Sequence, residues 1–194
     1  GLALSGASSK LLVRTLRNAN NGTATHTGPG NLSINSPGLF ENLSGSLFDQ
    51  QDDSDIPGSG QFVNAGTFLR SAGAGTVTIG CDVDNTGLFE VRSGKVGLTG
   101  TYSQSAGSTI VNGAVLESFP SLSISGGIVG GAGTMDATLT MAGGQLGPGL
   151  SPGVLAVADD LAAAPRNYTQ AAGASFHVEV GGLSPGNGPA NHDQ

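Results

Sequence analysis

The residues in this chain best suited to chemistry are carboxylates, and they fall in two groups. Asp49, Asp52, Asp53 and Asp55 crowd into seven residues and supply the hard oxygen ligands that calcium takes, so they are the candidate metal site. A solvated acidic loop accounts for the same spacing, because no glycine is placed to wrap this stretch around an ion. The second group is Asp82, Asp84, Glu90 and Arg92, which alternation along two short strands puts on outward positions. Two or three carboxylates beside a base are what acid–base cleavage of a polysaccharide requires, whereas scattered charges that keep a surface soluble and discourage strand pairing require no such grouping. Asp82-Val-Asp84-Asn-Thr-Gly87 imitates the start of an EF-hand loop, but its twelfth position is Ser93 where a bidentate glutamate is needed.

The remaining reactive side chains are sparse. His26, His177 and His192 are far apart, so a metal or triad arrangement has no support. Cys81 is the single cysteine, which excludes an intrachain disulfide, and its neighbours in equivalent segments are small or aliphatic, as for a buried thiol. Tyr102, Tyr168, Phe119 and Phe176 are candidates for an aromatic platform under a sugar, with core packing as the default. Asn21, Asn31, Asn42 and Asn167 each open an Asn-x-Ser/Thr sequon, and at strand corners such residues tolerate left-handed backbone and stack into ladders.

What must position these residues is a repeat. The phrase Asn/Ser-x-Gly-x-(Phe/Ile/Leu)-x-(Val/Leu) recurs around Gly22, Gly45, Gly66, Gly87 and Gly107, at steps of 23, 21, 21 and 20 residues. A fixed period in this range marks a solenoid, in which each coil buries its apolar face only by stacking on its neighbours. Between the glycines, apolar and polar residues alternate over four to six positions, as in Leu88-Phe89-Glu90-Val91, which is the strand period. The expectation is an all-β, right-handed parallel β-helix of about 21 residues per coil and roughly nine coils, running as a single continuous solenoid over 1–194. Its handedness rests on the general preference of parallel crossovers. The segment QQDDSDIPGSG at 50–60 breaks the alternation and is expected to project as an acidic loop. Only DDLAAAPR at 159–166 has helical propensity, for one turn at most. Tyr168-Thr169-Gln170 echoes Tyr102-Ser103-Gln104, which predicts one stack through both halves.

Composition narrows the function classes. Among 194 residues there are 34 glycines, no tryptophan and 11% charged residues, too little bulk for a thick core but enough apolar content for a thin one spread along a stack. The net charge is −7 and the seven basic residues form no stripe, so no nucleic-acid partner is expected. No run of 18 apolar residues exists, so no membrane span is expected, and no signal peptide is visible. Both ends read as cut from something longer.

The phrases FVNAGTFLRSAGAGTVTI, VDNTGLFEVRSGKVGLTG and GPGLSPGVLAV followed by YTQAAGASFHVEVGG resemble the repeats of large bacterial cell-surface and secreted proteins of the autotransporter-passenger and adhesin kind. That resemblance spans most of 11–194. It implies a right-handed parallel β-helix that is extracellular or displayed at the cell surface and acts without catalysis in adhesion, matrix or filament building. The implied partners are neighbouring repeats, other copies of the chain, or cell-surface glycans. Two competing readings are a polysaccharide lyase or glycoside hydrolase of β-helix type and a calcium-stabilised carbohydrate-binding module; no cofactor other than calcium is implied.

Overall fold

A computed structural model of the chain describes residues 1–148, 154–157, 166–178, 184–185 and 191–192. These residues form strands, turns and bends with no helix, and the strand pairs are all parallel. The strands lie in three columns, one for each side of a coil. The first column stacks Thr15–Asn18, Leu39–Asn42, Gln61–Asn64, Asp82–Asn85, Tyr102–Gln104, Leu122–Ile124 and the starts of Leu139–Pro148 and Tyr168–Phe176. The second runs from Leu2–Leu4 through Thr23–His26, Leu47–Gln50, Thr67–Arg70 and Leu88–Val91 into the opening residues of Ser108–Ser118 and Ile128–Asp136. The third holds Lys10–Leu12, Leu32–Ile34, Thr76–Ile79, Lys95–Leu98, the later residues of Ser108–Ser118 and Ile128–Asp136, and Ala156–Val157. The chain is therefore a parallel β-helix.

Among the described residues the first column contains eight levels, against the nine expected, because coil length varies. Register partners are 24 residues apart from Leu16 to Phe40, 17 from Leu122 to Leu139 and 29 from Leu139 to Tyr168. Pairing stays in register along most strands, with shifts between Asn112 and Val115 and between Met141 and Gly143. The predicted echo holds, since Tyr102 and Tyr168 occupy the same row, separated by Leu122 and Leu139. Segment 159–166 lies, apart from Arg166, outside the described residues.

Period-2 alternation explains the core. Parallel pairing places residue over residue at about 4.8 Å, so each inward position extends into a row along the axis. One row reads Leu16, Phe40, Phe62, Val83, Tyr102, Leu122, Leu139 and Tyr168; another reads Ala24, Phe48, Phe68, Phe89, Thr109, Val129, Leu146 and Phe176. Phe68 and Phe89 stack with centroids 4.3 Å apart and planes 4° off parallel, and Phe40 stacks on Phe62 at 5.0 Å. Across the two rows the rings meet edge to face, as for Phe48 and Phe62. Each aromatic pair contributes about 0.5–1.5 kcal/mol beyond the burial of its area.

The period glycines serve close approach of stacked corners. A Cβ at Gly66 would lie 2.3 Å from the Ser46 carbonyl oxygen, and one at Gly87 would lie 2.0 Å from that of Gly66. The corners at Gly66, Gly87 and Gly107 thus sit on the backbone of the corner before them, whereas Gly45 faces the Asn21 side chain. Gly97, in the middle of a strand, would place a Cβ no closer than 3.6 Å to its neighbours. Gly87→Ala is accordingly expected to lower stability by about 2 kcal/mol or more, through forced backbone displacement, while Gly97→Ala is near neutral. Equal urea midpoints for the two variants would refute this account.

Candidate functional site

The acidic segment 50–60 folds inward instead of projecting. Ile56 is fully buried and forms a parallel bridge with Ile79; its amide donates to the Thr78 carbonyl, and its carbonyl accepts from Gly80. The amides of Leu32 and Ile34 donate to the carbonyls of Asp55 and Pro57, so this segment supplies the missing level of the third column. Sequence alternation fails to reveal it because only one apolar residue, Ile56, points into the core.

Polar side chains at the preceding corner pin that segment down. His26, Gln50 and Arg70 share one row and are each fully buried. Gln50 Nε2 donates to the carbonyls of Asp52 (2.7 Å) and Ser54 (3.0 Å), which turns its Oε1 toward His26 Nδ1 at 2.7 Å. The Arg70 guanidinium donates to the Asp52 carbonyl and to the Asp53 carboxylate, the latter about half exposed.

The four candidate calcium ligands are each engaged separately. Asp49 accepts from Gln51 Nε2 and Ser71 Oγ, both at 2.5 Å; Asp52 accepts from the Ser54 amide at 3.1 Å. Asp53 takes Arg70 and the Gly75 amide, and Asp55 takes the Thr78 amide at 2.7 Å. Among the described residues no three His, Cys, Asp or Glu side chains gather around a point where a metal ion would sit. This arrangement ties a carboxylate-rich strand to the next coil.

The second candidate group divides between two faces. Asp82 and Asp84 lie on the first column, where Asp82 accepts from the Thr101 amide (2.9 Å) and hydroxyl (2.7 Å) and Asp84 accepts from Gln61. Glu90 lies on the second column, paired with Arg92 at 2.8 Å and accepting from Asn112 at 3.0 Å. The contact with Glu90 raises the Arg92 guanidinium further above its ordinary range.

A different carboxylate pair escapes sequence reasoning. Glu117 and Asp136 are register partners on consecutive coils of the third column, 5% and 0% exposed despite following the inward Leu116 and Met135. Lys95 pairs with Glu117 at 3.2 Å and Arg166 with Asp136 at 2.6 Å, giving two acids and two bases in one neutral cluster. One oxygen of each acid, Glu117 Oε1 and Asp136 Oδ2, is buried without a partner among the described residues. The only sequence signal is an acid following an aliphatic residue twice at coil spacing, which the long reach of Arg166 obscures.

The other singled-out residues are dispersed. Tyr102 is buried and donates or accepts at Thr109 Oγ1, 2.6 Å away; desolvation drives its ionisation above the usual tyrosine range, with the bond to Thr109 opposing. Tyr168 and Phe176 sit 6.3 Å apart in the last coil, while Phe119 is exposed at a corner of the third column, so the four aromatics form no common platform. Cys81 is buried, and desolvation pushes its thiol up to about 12, which disfavours the reactive thiolate. His177 is exposed, and His192 belongs to a separate short strand pair. Asn21 has φ of +56°, the left-handed corner expected of it.

Asn42 belongs to a more extensive feature. Asn18, Asn42, Asn64, Asn85 and Gln104 form one buried row, each amide nitrogen donating to the amide oxygen of the next at 2.9, 2.8, 2.8 and 3.2 Å. The second hydrogen of each asparagine goes to a carbonyl of the following coil, such as Thr67 O for Asn42 and Leu88 O for Asn64. Asparagine before the period glycine is the sequence trace of this ladder.

The class these features define is a β-solenoid repeat protein of the parallel β-helix type. Comparison with protein-family models, with curated proteins and with solved structures finds no match in any of the three. Among the described residues no helix is long and apolar enough to cross a membrane.

Two outcomes follow for the acidic segment. Chelation with EDTA, or addition of millimolar calcium, is expected to shift the melting temperature by less than about 1 °C; a rise with calcium concentration would establish a bound ion. Asp53→Asn removes the counter-charge of a fully buried guanidinium and is expected to cost about 2 kcal/mol, more than Asp52→Asn, in paired chemical denaturation curves.

Proposed function

We propose that this chain is a non-catalytic structural or adhesive element that works outside the cell or at its surface, as do the solenoid proteins its repeats resemble. The observation supporting this reading is the run of like-on-like contacts, Phe48, Phe68 and Phe89 in one row and Asn18, Asn42, Asn64, Asn85 and Gln104 in another. Phenylalanine rings and amide side chains continue from coil to coil alongside the backbone ladders, so the coils resist separation and shear together. Such a body is a stiff support whose long outer faces carry short polar side chains, for instance Ser103, Ser123 and Thr140 in one outward row. A shallow groove of about 260 Å³ follows that row. It suits broad, weak contact with an extended polymer better than capture of a small substrate.

The test pairs binding with turnover. On an array of surface and matrix glycans the full chain is expected to bind extended polysaccharide without releasing new reducing ends or unsaturated uronate. Turnover that disappears in Glu117→Gln or in Asp82→Asn would replace this reading with a polysaccharide-cleaving enzyme.

A further inference from the structure

Three Asn-Gly pairs occur in the chain, Asn21-Gly22, Asn112-Gly113 and Asn187-Gly188, the last of them outside the described residues. An asparagine before glycine has a reaction open to it that needs no enzyme. The glycine nitrogen, with no Cβ beside it to hinder approach, attacks the asparagine Cγ and closes a five-membered imide. In a folded chain the rate depends on whether that nitrogen and the side-chain amide are free to meet. The two described pairs differ in this respect.

The corner at Asn21 is fastened. The Gly22 amide donates to the Ala19 carbonyl at 3.0 Å, so the attacking nitrogen is held in a turn. A Cβ on Gly22 would lie 2.7 Å from Asn18 Oδ1, and one on Gly45 would lie 2.3 Å from Asn21 Oδ1, so both members of the pair are packed against neighbours. At Asn112 the packing is slack. Asn112 pairs with Ala132 and Val115 with Thr134, which leaves Gly113 and Ala114 opposite Gly133 alone, a bulge in the strand. Gly113 has no register partner on either neighbouring coil, is exposed with φ of +65°, and would place a Cβ with nothing within 4 Å. Val111 and Ala114 on either side stay buried, which confines the slack to this pair. Asn112 Nδ2 donates to Glu90 Oε1 at 3.0 Å, while Asn112 Oδ1 has no partner among the described residues, so one hydrogen bond positions the amide.

We infer that Asn112-Gly113 is a site of self-modification, at which the folded chain loses ammonia, whereas Asn21-Gly22 is protected. Gly113 N bonds to Asn112 Cγ and gives up its proton; the amide nitrogen takes up a proton, the Cγ–Nδ2 bond breaks, and ammonia leaves. The Glu90 carboxylate, already in contact with Nδ2, stabilises the ammonium form of that nitrogen before it departs. Water then adds across the imide at either carbonyl, giving aspartate or isoaspartate at position 112 with no change of oxidation state. Either product sets a second carboxylate beside Glu90, which is 6% exposed, and isoaspartate also adds a carbon to the main chain inside the bulge. The junction between these coils therefore weakens as the molecule ages. This chemistry is independent of what the outer faces bind.

The test is incubation of the full chain in mildly alkaline buffer made with oxygen-labelled water, followed by peptide mapping in a mass spectrometer. The same is done in concentrated urea and with Glu90→Gln, whose circular dichroism melt is the folding control. In the folded chain, conversion at Asn112 is expected to be at least about tenfold faster than at Asn21, with the two alike in urea. Glu90→Gln is expected to slow Asn112 by about threefold or more. An Asn112 that reacts in urea but not in the folded chain overturns the inference, because the fold then protects the site. Equal rates at Asn21 and Asn112 in the folded chain also overturn it, since sequence alone then governs. An unchanged or faster rate in Glu90→Gln overturns the part given to Glu90, whose hydrogen bond then only restrains the amide.

Discussion

The spacing of parallel strands, about 4.8 Å, is the constraint on which this structure depends. It places equivalent residues of successive coils in direct contact, so whatever occupies an inward position must be compatible with a near copy of itself above and below. Aromatic rings satisfy that condition by stacking and amides by donating in one direction and accepting in the other; both solutions are used here in adjacent rows. An ionised side chain has no self-complementary arrangement of this kind. Consistent with that, the buried Arg70 lies above Gln50 and below Val91, and it spends its hydrogen bonds on the neighbouring corner segment.

Carboxylates that do stack are buried between cations instead of being relieved by solvent. Glu117 and Asp136 stand directly over one another, an arrangement that repels unless cations flank it, and Lys95 and Arg166 approach from opposite sides along the chain. Elsewhere the carboxylates are kept apart by spreading over different faces or by accepting amide and hydroxyl hydrogens from the adjacent coil, as Asp55 and Asp82 do. Much of the chain's small stock of charge is therefore engaged in joining one level to the next.

The period of the glycines, the strand alternation and the echo of Tyr102 in Tyr168 made the β-helix legible in the sequence, because each reports a contact between equivalent positions. What stayed hidden depends on contacts between positions that are not equivalent. Segment 50–60 contributes a level of the third column through a single buried residue, Ile56, and backbone hydrogen bonds that no alternation records. The carboxylates adjacent in sequence take separate partners, Asp53 with Arg70, Asp55 with the Thr78 amide, Asp82 with Thr101 and Glu90 with Arg92, because alternation and corners point neighbours in different directions. The carboxylates that stand one over the other, Glu117 and Asp136, are 19 residues apart in the chain. Asparagine was readable as a corner and ladder residue, yet the length and common direction of the ladder depend on which corners stack, and the sequence pattern does not record that.

The corner glycines bear on how such a chain changes length. Because Gly66 and Gly87 each lie against the backbone of the preceding corner, a coil is tightly fitted to its neighbours but to nothing farther away. Loss or duplication of one whole coil between Asn42 and Asn85 would again set asparagine on asparagine and an apolar residue on an apolar residue, while loss of a single residue within a strand would reverse the side chains that follow it in that strand. The coil is thus the natural quantum of inheritance for this molecule, and its length is free to drift only in such steps or between strands, as register spacings of 17 and 29 residues show.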